Sequence, residues 1–322
     1  MCHRRPQAGH SGRWRGHEVT PSDMNNTGHR QWNIGELYRA AKRELAALSD
    51  VPQTEAMLLC AHFLGAGDRM ALLMREQEPV PQDTAEAFLC ALSQREHRPL
   101  QYILGSWEFD RMELKVGEGV LVPREDTLAL VELGCERLAA IAADRTDDRP
   151  LRILDLCAGT GAVGLAAARR LPDALVTCVE LSDEALPYLR ANVERYGGGR
   201  VTVVQGDVLA GPAAMGILPG SFDGILSNPP YIPAADIAGL AREVRQEPSM
   251  ALDGGADGLD FYRAISELWR DAVCPGGVLC FELGEGQFDD VERMIVRLEW
   301  GEIGAKRDFS GKLRAIVGTK QS

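Results

Sequence analysis

Residues 151–164 read LRILDLCAGTGAVG, an apolar run that breaks into glycines and leaves them as a helix-forming segment. Gly159, Gly161 and Gly164 fall in the spacing G-x-G-x-x-G, between a strand and a helix. Glycines so placed let the backbone turn tightly and approach a ligand with no Cβ in the way. Downstream, the strand-like runs ALVTCVE, RVTVV, FDGILS and GGVLCFEL alternate with helical segments at GAVGLAAARRL, SDEALPYLRANVERY, DGLDFYRAISELWRDAV and GQFDDVERMIVRL. Such alternation predicts an α/β fold with a mostly parallel, doubly wound (Rossmann-like) sheet covered on both faces. Ligands in that architecture bind beyond the carboxyl ends of the strands.

Each of those ends carries a polar function. Glu180 follows the second strand and can accept hydrogen bonds from a ribose diol; Asp207 follows the third and can accept from an adenine amino group. A glycine turn with a following carboxylate suits a nicotinamide cofactor and S-adenosylmethionine equally, because both contain an adenosine. The fourth strand ends in SNPPY, Ser227–Tyr231, and this breaks the tie. Proline fixes φ and has no N–H to donate, so Pro229 and Pro230 stop the strand stiffly and leave nearby carbonyls as acceptors. The Asn228 side chain adds an acceptor oxygen. Two acceptors on a rigid turn can grip both hydrogens of a planar NH2 group whose delocalised lone pair makes it a poor nucleophile. Holding both N–H bonds orients that nitrogen and raises its electron density as it bonds to a methyl carbon. Tyr231 is placed to cover the planar group or to meet a sulfonium with its ring face.

Upstream, IGELYRAAKRELAAL, TEAMLLCAHFLG and DTAEAFLCALSQREH have helical spacing, with Pro52, Gly65–Gly67 and Pro79–Pro81 as punctuation. The expected organisation is a polar, disordered extension over 1–30, a helical domain over 31–99, a linking β-hairpin over 100–123 and a catalytic domain over 124–322. In the hairpin, Trp107–Phe109 and Met112–Val122 alternate as strands, with Gly117 and Gly119 at a turn and Pro123 at the end. DTLALVELGCERLAAIAA returns to helical period before the polar loop DRTDDRP. The first 30 residues hold five arginines against Glu18 and Asp23, and Met24 is an alternative start.

The whole chain has 322 residues, 45% hydrophobic and 25% charged, and a net charge of −12, which disfavours a broad footprint on a polyanion. Its eight cysteines form no C-x-x-C pair, so neither zinc nor a disulfide framework is indicated. No apolar segment is long enough to cross a bilayer and no signal sequence leads the chain, so a cytoplasmic location is expected.

With these motifs assembled, the chain resembles the release factor glutamine methyltransferases (HemK or PrmC type) from about Ile34 onward. The motifs that carry the resemblance are RPLQYILGSWEF, VLVPRED followed by Thr127, LDLCAGTGAVG, SNPPYIP, EVRQEPSMALDGGADGLDFYRAI and FELGEGQ. The resemblance implies a class I methyltransferase-like fold. It also implies methyl transfer from S-adenosyl-L-methionine, giving S-adenosyl-L-homocysteine, to the side-chain amide nitrogen (N5) of the glutamine in the Gly-Gly-Gln loop of class 1 peptide chain release factors. By the same resemblance Cys157, Ala158, Gly159, Thr160, Gly161, Glu180, Asp207, Val208 and Asn228 would line the cofactor pocket. Asn228, Pro229, Pro230 and Tyr231 would hold the glutamine, and the helical domain would help dock the release factor. Cys157 and Ala158 stand where the family often has glycine and threonine, and Glu180 where aspartate is common. The polar segment 234–257 is expected to act as a lid. Arg124 and Glu125, following Pro123 at a helix start, could orient the cofactor, or cap that helix and pair across the interface. Two rival classes are a nucleic-acid amino methyltransferase, which would want a basic surface, and a non-catalytic adaptor.

Overall fold

The computed structural model of the chain describes residues 30–321. The expected extension, Arg30 excepted, and the alternative start at Met24 lie outside the described residues. The chain divides into two compact units between Glu96 and His97.

In the first unit β1 (Trp32–Asn33) pairs antiparallel with β2 (Pro79–Val80), and the helices are α1 (Ile34–Leu45), α2 (Pro52–Leu64), α3 (Arg69–Met74) and α4 (Gln82–Gln94). Asn33 opens α1 through a reciprocal cap: its Oδ1 accepts from the Glu36 N–H at 2.9 Å, and Glu36 Oε2 accepts from the Asn33 N–H at 3.0 Å. Ile34, Leu37, Ala41 and Leu45 then bury one stripe. Pro52, expected to separate helices, is the first residue of α2, where its missing N–H leaves nothing unsatisfied. Glu55 and Arg95 form a buried two-point ion pair at 2.7 and 2.8 Å.

The second unit begins with α5 (Leu100–Leu104) and the hairpin β3 (Ser106–Phe109) to β4 (Met112–Lys115). The turn of that hairpin is Asp110–Arg111, both at positive φ (46° and 63°), the conformation that matches strand twist in a two-residue turn. The ladder ends at Lys115, so the strand expected to reach Val122 is shorter. Residues 116–122 instead run against the start of a later helix: a Cβ on Gly117 would meet the Tyr188 hydroxyl at 2.3 Å, and one on Gly119 the Glu184 Cβ at 2.4 Å.

Next come α6 (Leu128–Asp144), β5 (Arg152–Leu156), α7 (Ala162–Arg170), β6 (Leu175–Glu180), α8 (Leu186–Tyr196), β7 (Val201–Gln205), β8 (Phe222–Ser227), α9 (Asp260–Leu268), β9 (Val273–Glu282), α10 (Phe288–Arg297), β10 (Trp300–Arg307) and β11 (Leu313–Lys320). The sheet has the order β10-β11-β9-β8-β5-β6-β7. Pairings from β9 through β7 are parallel, and β11 pairs antiparallel with both β9 and β10. Successive strand residues serve opposite faces: Ile153 and Val176 pack with α6 and α7, whereas Leu154 and Val179 pack with α9. The chain builds outward from β5 through β6 to β7, then returns to place β8 on the other side of β5, so the switch point lies between β5 and β8. No helix among the described residues is long and apolar enough to cross a membrane.

The polar loop 145–151 is tied down. Asp223 on β8 is fully buried, and its carboxylate accepts from both Arg149 terminal nitrogens (3.0 and 2.9 Å), from the Arg152 N–H (2.8 Å) and from Arg145. Burial pushes its pKa up, but these donors outweigh burial and hold it below the usual aspartate value. The stabilisation is therefore present at neutral pH and lost as pH falls through the folded pKa. Asp223→Ala is expected to cost about 3 kcal/mol at pH 7, read as a lowered thermal midpoint whose gap to wild type narrows on acidification.

Candidate active site

β5 delivers its glycine turn to the switch point. Cys157, Gly159 and Gly161 all sit at positive φ (62°, 55° and 81°). Position 157 thus favours glycine for a steric reason, and the cysteine adopts this geometry at a cost of about 1 kcal/mol. The turn is held by the Gly161 N–H to the Ala158 carbonyl (2.7 Å) and by the Ala158 N–H to the Val179 carbonyl (3.0 Å). Gly164 permits close packing, since a Cβ there would meet Asp155 Oδ2 at 2.8 Å. That buried carboxyl accepts from the Gly164 N–H, and burial pushes its pKa up to about 7.

Glu180 links two strand ends. Its Oε2 accepts from the Gly159 N–H at 2.7 Å and its Oε1 from the Ser182 N–H at 2.8 Å. A carboxylate has about four lone-pair sites, so acceptor capacity remains. Asp207 Oδ1 accepts from the Leu209 N–H at 2.9 Å, while the Val208 carbonyl accepts from the Trp269 indole at 2.8 Å, fixing that corner. Cys157, Ala158, Gly159, Thr160, Glu180, Asp207, Val208 and Asn228 all line one cavity. Gly161 does not line it and serves the turn from behind, where a Cβ would meet Leu189 at 2.6 Å. Apolar walls come from Val120, Leu209 and Phe261 among others.

A second cavity adjoins the first, and Leu121, Arg124, Asn228 and Ala251 line both. Pro229 and Tyr231 face only the second and Pro230 only the first. Tyr231 is therefore placed at the second compartment. Asn228 Nδ2 donates to the Thr127 hydroxyl at 3.3 Å, leaving Oδ1 as an acceptor. Among the described residues no group donates to the Pro229 carbonyl. The Tyr231 hydroxyl donates to Glu282 Oε1 at 3.2 Å, and its carbonyl accepts from Gln287 Nε2 at 2.9 Å.

Segment 234–257 folds as short 3-10 turns, with Pro248, Met250 and Ala251 on the first cavity and Val244 and Leu252 on the second. Glu247 latches it: Oε2 accepts from the Val122 N–H at 2.9 Å, and Oε1 pairs with Arg124. Arg124 is thus engaged with this segment and also lines both cavities. Thr127, Glu247 and Glu282 lay inside motifs recognised in the sequence, yet no spacing rule marked them, because their partners are more than a hundred residues away or beyond another strand.

A mixed seven-stranded sheet with its glycine turn, acidic strand ends and cavity at the switch point is the architecture of a class I methyltransferase. Residues 36–105 match the PrmC N-terminal domain and residues 153–246 a methyltransferase domain. The release factor glutamine methyltransferase of Geobacter sulfurreducens is 38% identical over 268 residues, covering 83% of this chain and 88% of the relative. That of Chlorobaculum tepidum is 38% identical over 283 residues, covering 87% and 94%. The chain belongs to the release factor glutamine methyltransferase family. Among solved structures, the release factor-specific protein-(glutamine-N5) methyltransferase of Alicyclobacillus acidocaldarius is 26% identical, with a TM-score of 0.38, covering 65% of this chain and 99% of that one. The catalytic domain of hMettl16 with an RNA hairpin shares the fold at a TM-score of 0.50 and 14% identity, covering 77% and 86%.

Proposed function

We propose that the chain transfers a methyl group from S-adenosyl-L-methionine to the side-chain amide nitrogen of the glutamine in the Gly-Gly-Gln loop of class 1 peptide chain release factors. The observation that carries this reading is that two cavities share a wall at Asn228, one with the acidic strand ends and the other with the Asn-Pro-Pro-Tyr turn.

The donor set of the first cavity fits S-adenosylmethionine. Glu180 has lone pairs left for a ribose diol and Asp207 for an adenine amino group, the glycine turn admits the methionine portion, and Leu209 and Phe261 offer apolar faces to the ring. Arg124, the one cationic side chain on this cavity among the described residues, is paired with Glu247, so the site complements a positively charged ligand. When bound, the cofactor supplies an electrophilic methyl carbon on a sulfonium.

In the second cavity Asn228 Oδ1 and the Pro229 carbonyl take the two amide protons, which fixes the plane of the NH2 group and prevents its rotation. Tyr231 closes the pocket, its ring orientation fixed by its hydroxyl and carbonyl bonds. The nitrogen becomes acidic only as its fourth bond forms, so a proton leaves late and no strong base is required. The segment latched by Glu247 excludes water from both compartments.

Incubation with methyl-labelled S-adenosylmethionine and a release factor tests the reading. Label is expected in the release factor and absent when its glutamine is replaced by alanine. Label in nucleic acid but not in the release factor would reject the substrate, and label in neither would reject the activity.

A further inference from the structure

Glu282 is the last residue of β9 and only 2% exposed, yet it lines the second cavity. One of its oxygens, Oε1, accepts from Tyr231; the other, Oε2, is buried with no hydrogen-bond partner among the described residues. A buried carboxylate with an open acceptor is costly to keep in a core. Its neighbours run in one direction. Asn228 Nδ2 donates to Thr127 Oγ1. A hydroxyl whose oxygen is so used still has a proton to give, and Thr127 is the foremost of the groups that favour the charged form of the Glu282 carboxylate against burial.

We propose that Glu282 is a positioning residue that sets the polarity of the substrate pocket: its carboxylate takes the Thr127 proton, Thr127 then takes the Asn228 NH2, and Asn228 is left with its oxygen turned to the substrate amide. This inference rests on the function proposed above and deepens it. The physical need is specific. An asparagine side chain can rotate by half a turn at little steric cost and exchange an acceptor for a donor. A substrate NH2 meeting Asn228 Nδ2 would face two donors nose to nose and lose its alignment. A carboxylate cannot donate, so placing one at the end of the relay forbids the reversed arrangement.

The same relay makes the pocket sensitive to pH. With a proton on Glu282, the acid can donate to Thr127, Thr127 can donate to Asn228 Oδ1, and Nδ2 turns to the substrate. Burial pushes the Glu282 pKa up to about 7, against the Thr127 hydroxyl, the Arg314 guanidinium on β11 and the Tyr231 hydroxyl, with Asp126 adding to the rise. From α9 the Tyr262 hydroxyl meets the Glu282 carbonyl at 2.8 Å and Gln287 Oε1 at 3.3 Å, and Arg124 and Glu125 share the cavity wall. The acceptor arrangement is thus held above about pH 7 and lost below it.

The test compares the full-length wild type with Glu282→Gln, Thr127→Val and Thr127→Ser. Three quantities are read: turnover on release factor between pH 6 and pH 8.5, cofactor affinity by calorimetry, and release factor affinity in the presence of S-adenosylhomocysteine. Glu282→Gln, whose amide can donate to Thr127, is expected to lower turnover about 100-fold at pH 8, to weaken release factor binding and to leave cofactor affinity unchanged. Wild-type turnover should rise through about pH 7, and that inflection should vanish in Glu282→Gln. Asp155 is pushed into the same pH range, so only the inflection lost in the variant belongs to Glu282. Thr127→Val should reproduce the defect and Thr127→Ser should recover turnover relative to it. If Glu282→Gln fails to bind cofactor it is misfolded, and the threonine pair then decides: equal turnover in valine and serine variants overturns the proposal. Wild-type turnover or a retained inflection in Glu282→Gln overturns it while leaving the proposed function standing, whereas a wild type that labels no release factor removes both.

Discussion

Asn228→Ala is expected to lower turnover on a release factor by about 100- to 1,000-fold while cofactor affinity stays within a few-fold of wild type. The size follows from the loss of one of the two acceptors that fix the plane of a weakly nucleophilic amide, a loss comparable to deleting one preorganised hydrogen-bonding group in other acyl- and group-transfer sites. The split follows from position. Asn228 touches both cavities, but its bonded partner, Thr127, is a buried hydroxyl rather than part of the glycine turn. Calorimetry with S-adenosylmethionine beside single-turnover kinetics checks both halves, and a collapse of cofactor binding in this variant would contradict the assignment.

Replacing Glu180 should do the opposite. Glu180→Ala is expected to weaken cofactor binding by about 3 kcal/mol, or about 100-fold, because two charge-assisted hydrogen bonds to a ribose diol would be lost together. The Gly159 and Ser182 N–H groups also lose their acceptor, so the glycine turn slackens where the methionine portion would lie. Glu180→Asp, one methylene shorter, should fall between, at about tenfold. Release factor affinity measured without cofactor should be unchanged in both. A variant that binds cofactor normally but turns over slowly would show that the carboxylate has another task.

Local chemistry made much of this legible. The glycine spacing places Gly159 and Gly161 at positive φ and Gly164 at a close approach, each for a reason the sequence states outright. The proline pair stops β8 where its missing donors require. By contrast, β10 and β11 carry glycines at 301, 304 and 318 and register shifts near 301–304 and 306–307, which interrupt the alternation by which a strand is recognised. Residues 116–122 alternate like a strand but are spent on packing beside α8, a tertiary demand no local pattern expresses. The relay from Glu282 to Asn228 needs three segments brought to one point, and only the folded chain supplies that.

The antiparallel end of the sheet carries one more consequence, for biogenesis. β11 is wedged between β9 and β10, so a nascent chain halted at residue 312 has β9 with an open, hydrogen-bond-hungry flank and β10 with nothing to pair to. Synthesis must therefore run to about residue 320 before the sheet can close, and Arg314, which helps hold Glu282 ionised, arrives in that last stretch. Premature termination there would leave a sticky fragment with an unfinished site, so an enzyme that serves the end of translation itself depends on being translated through β11.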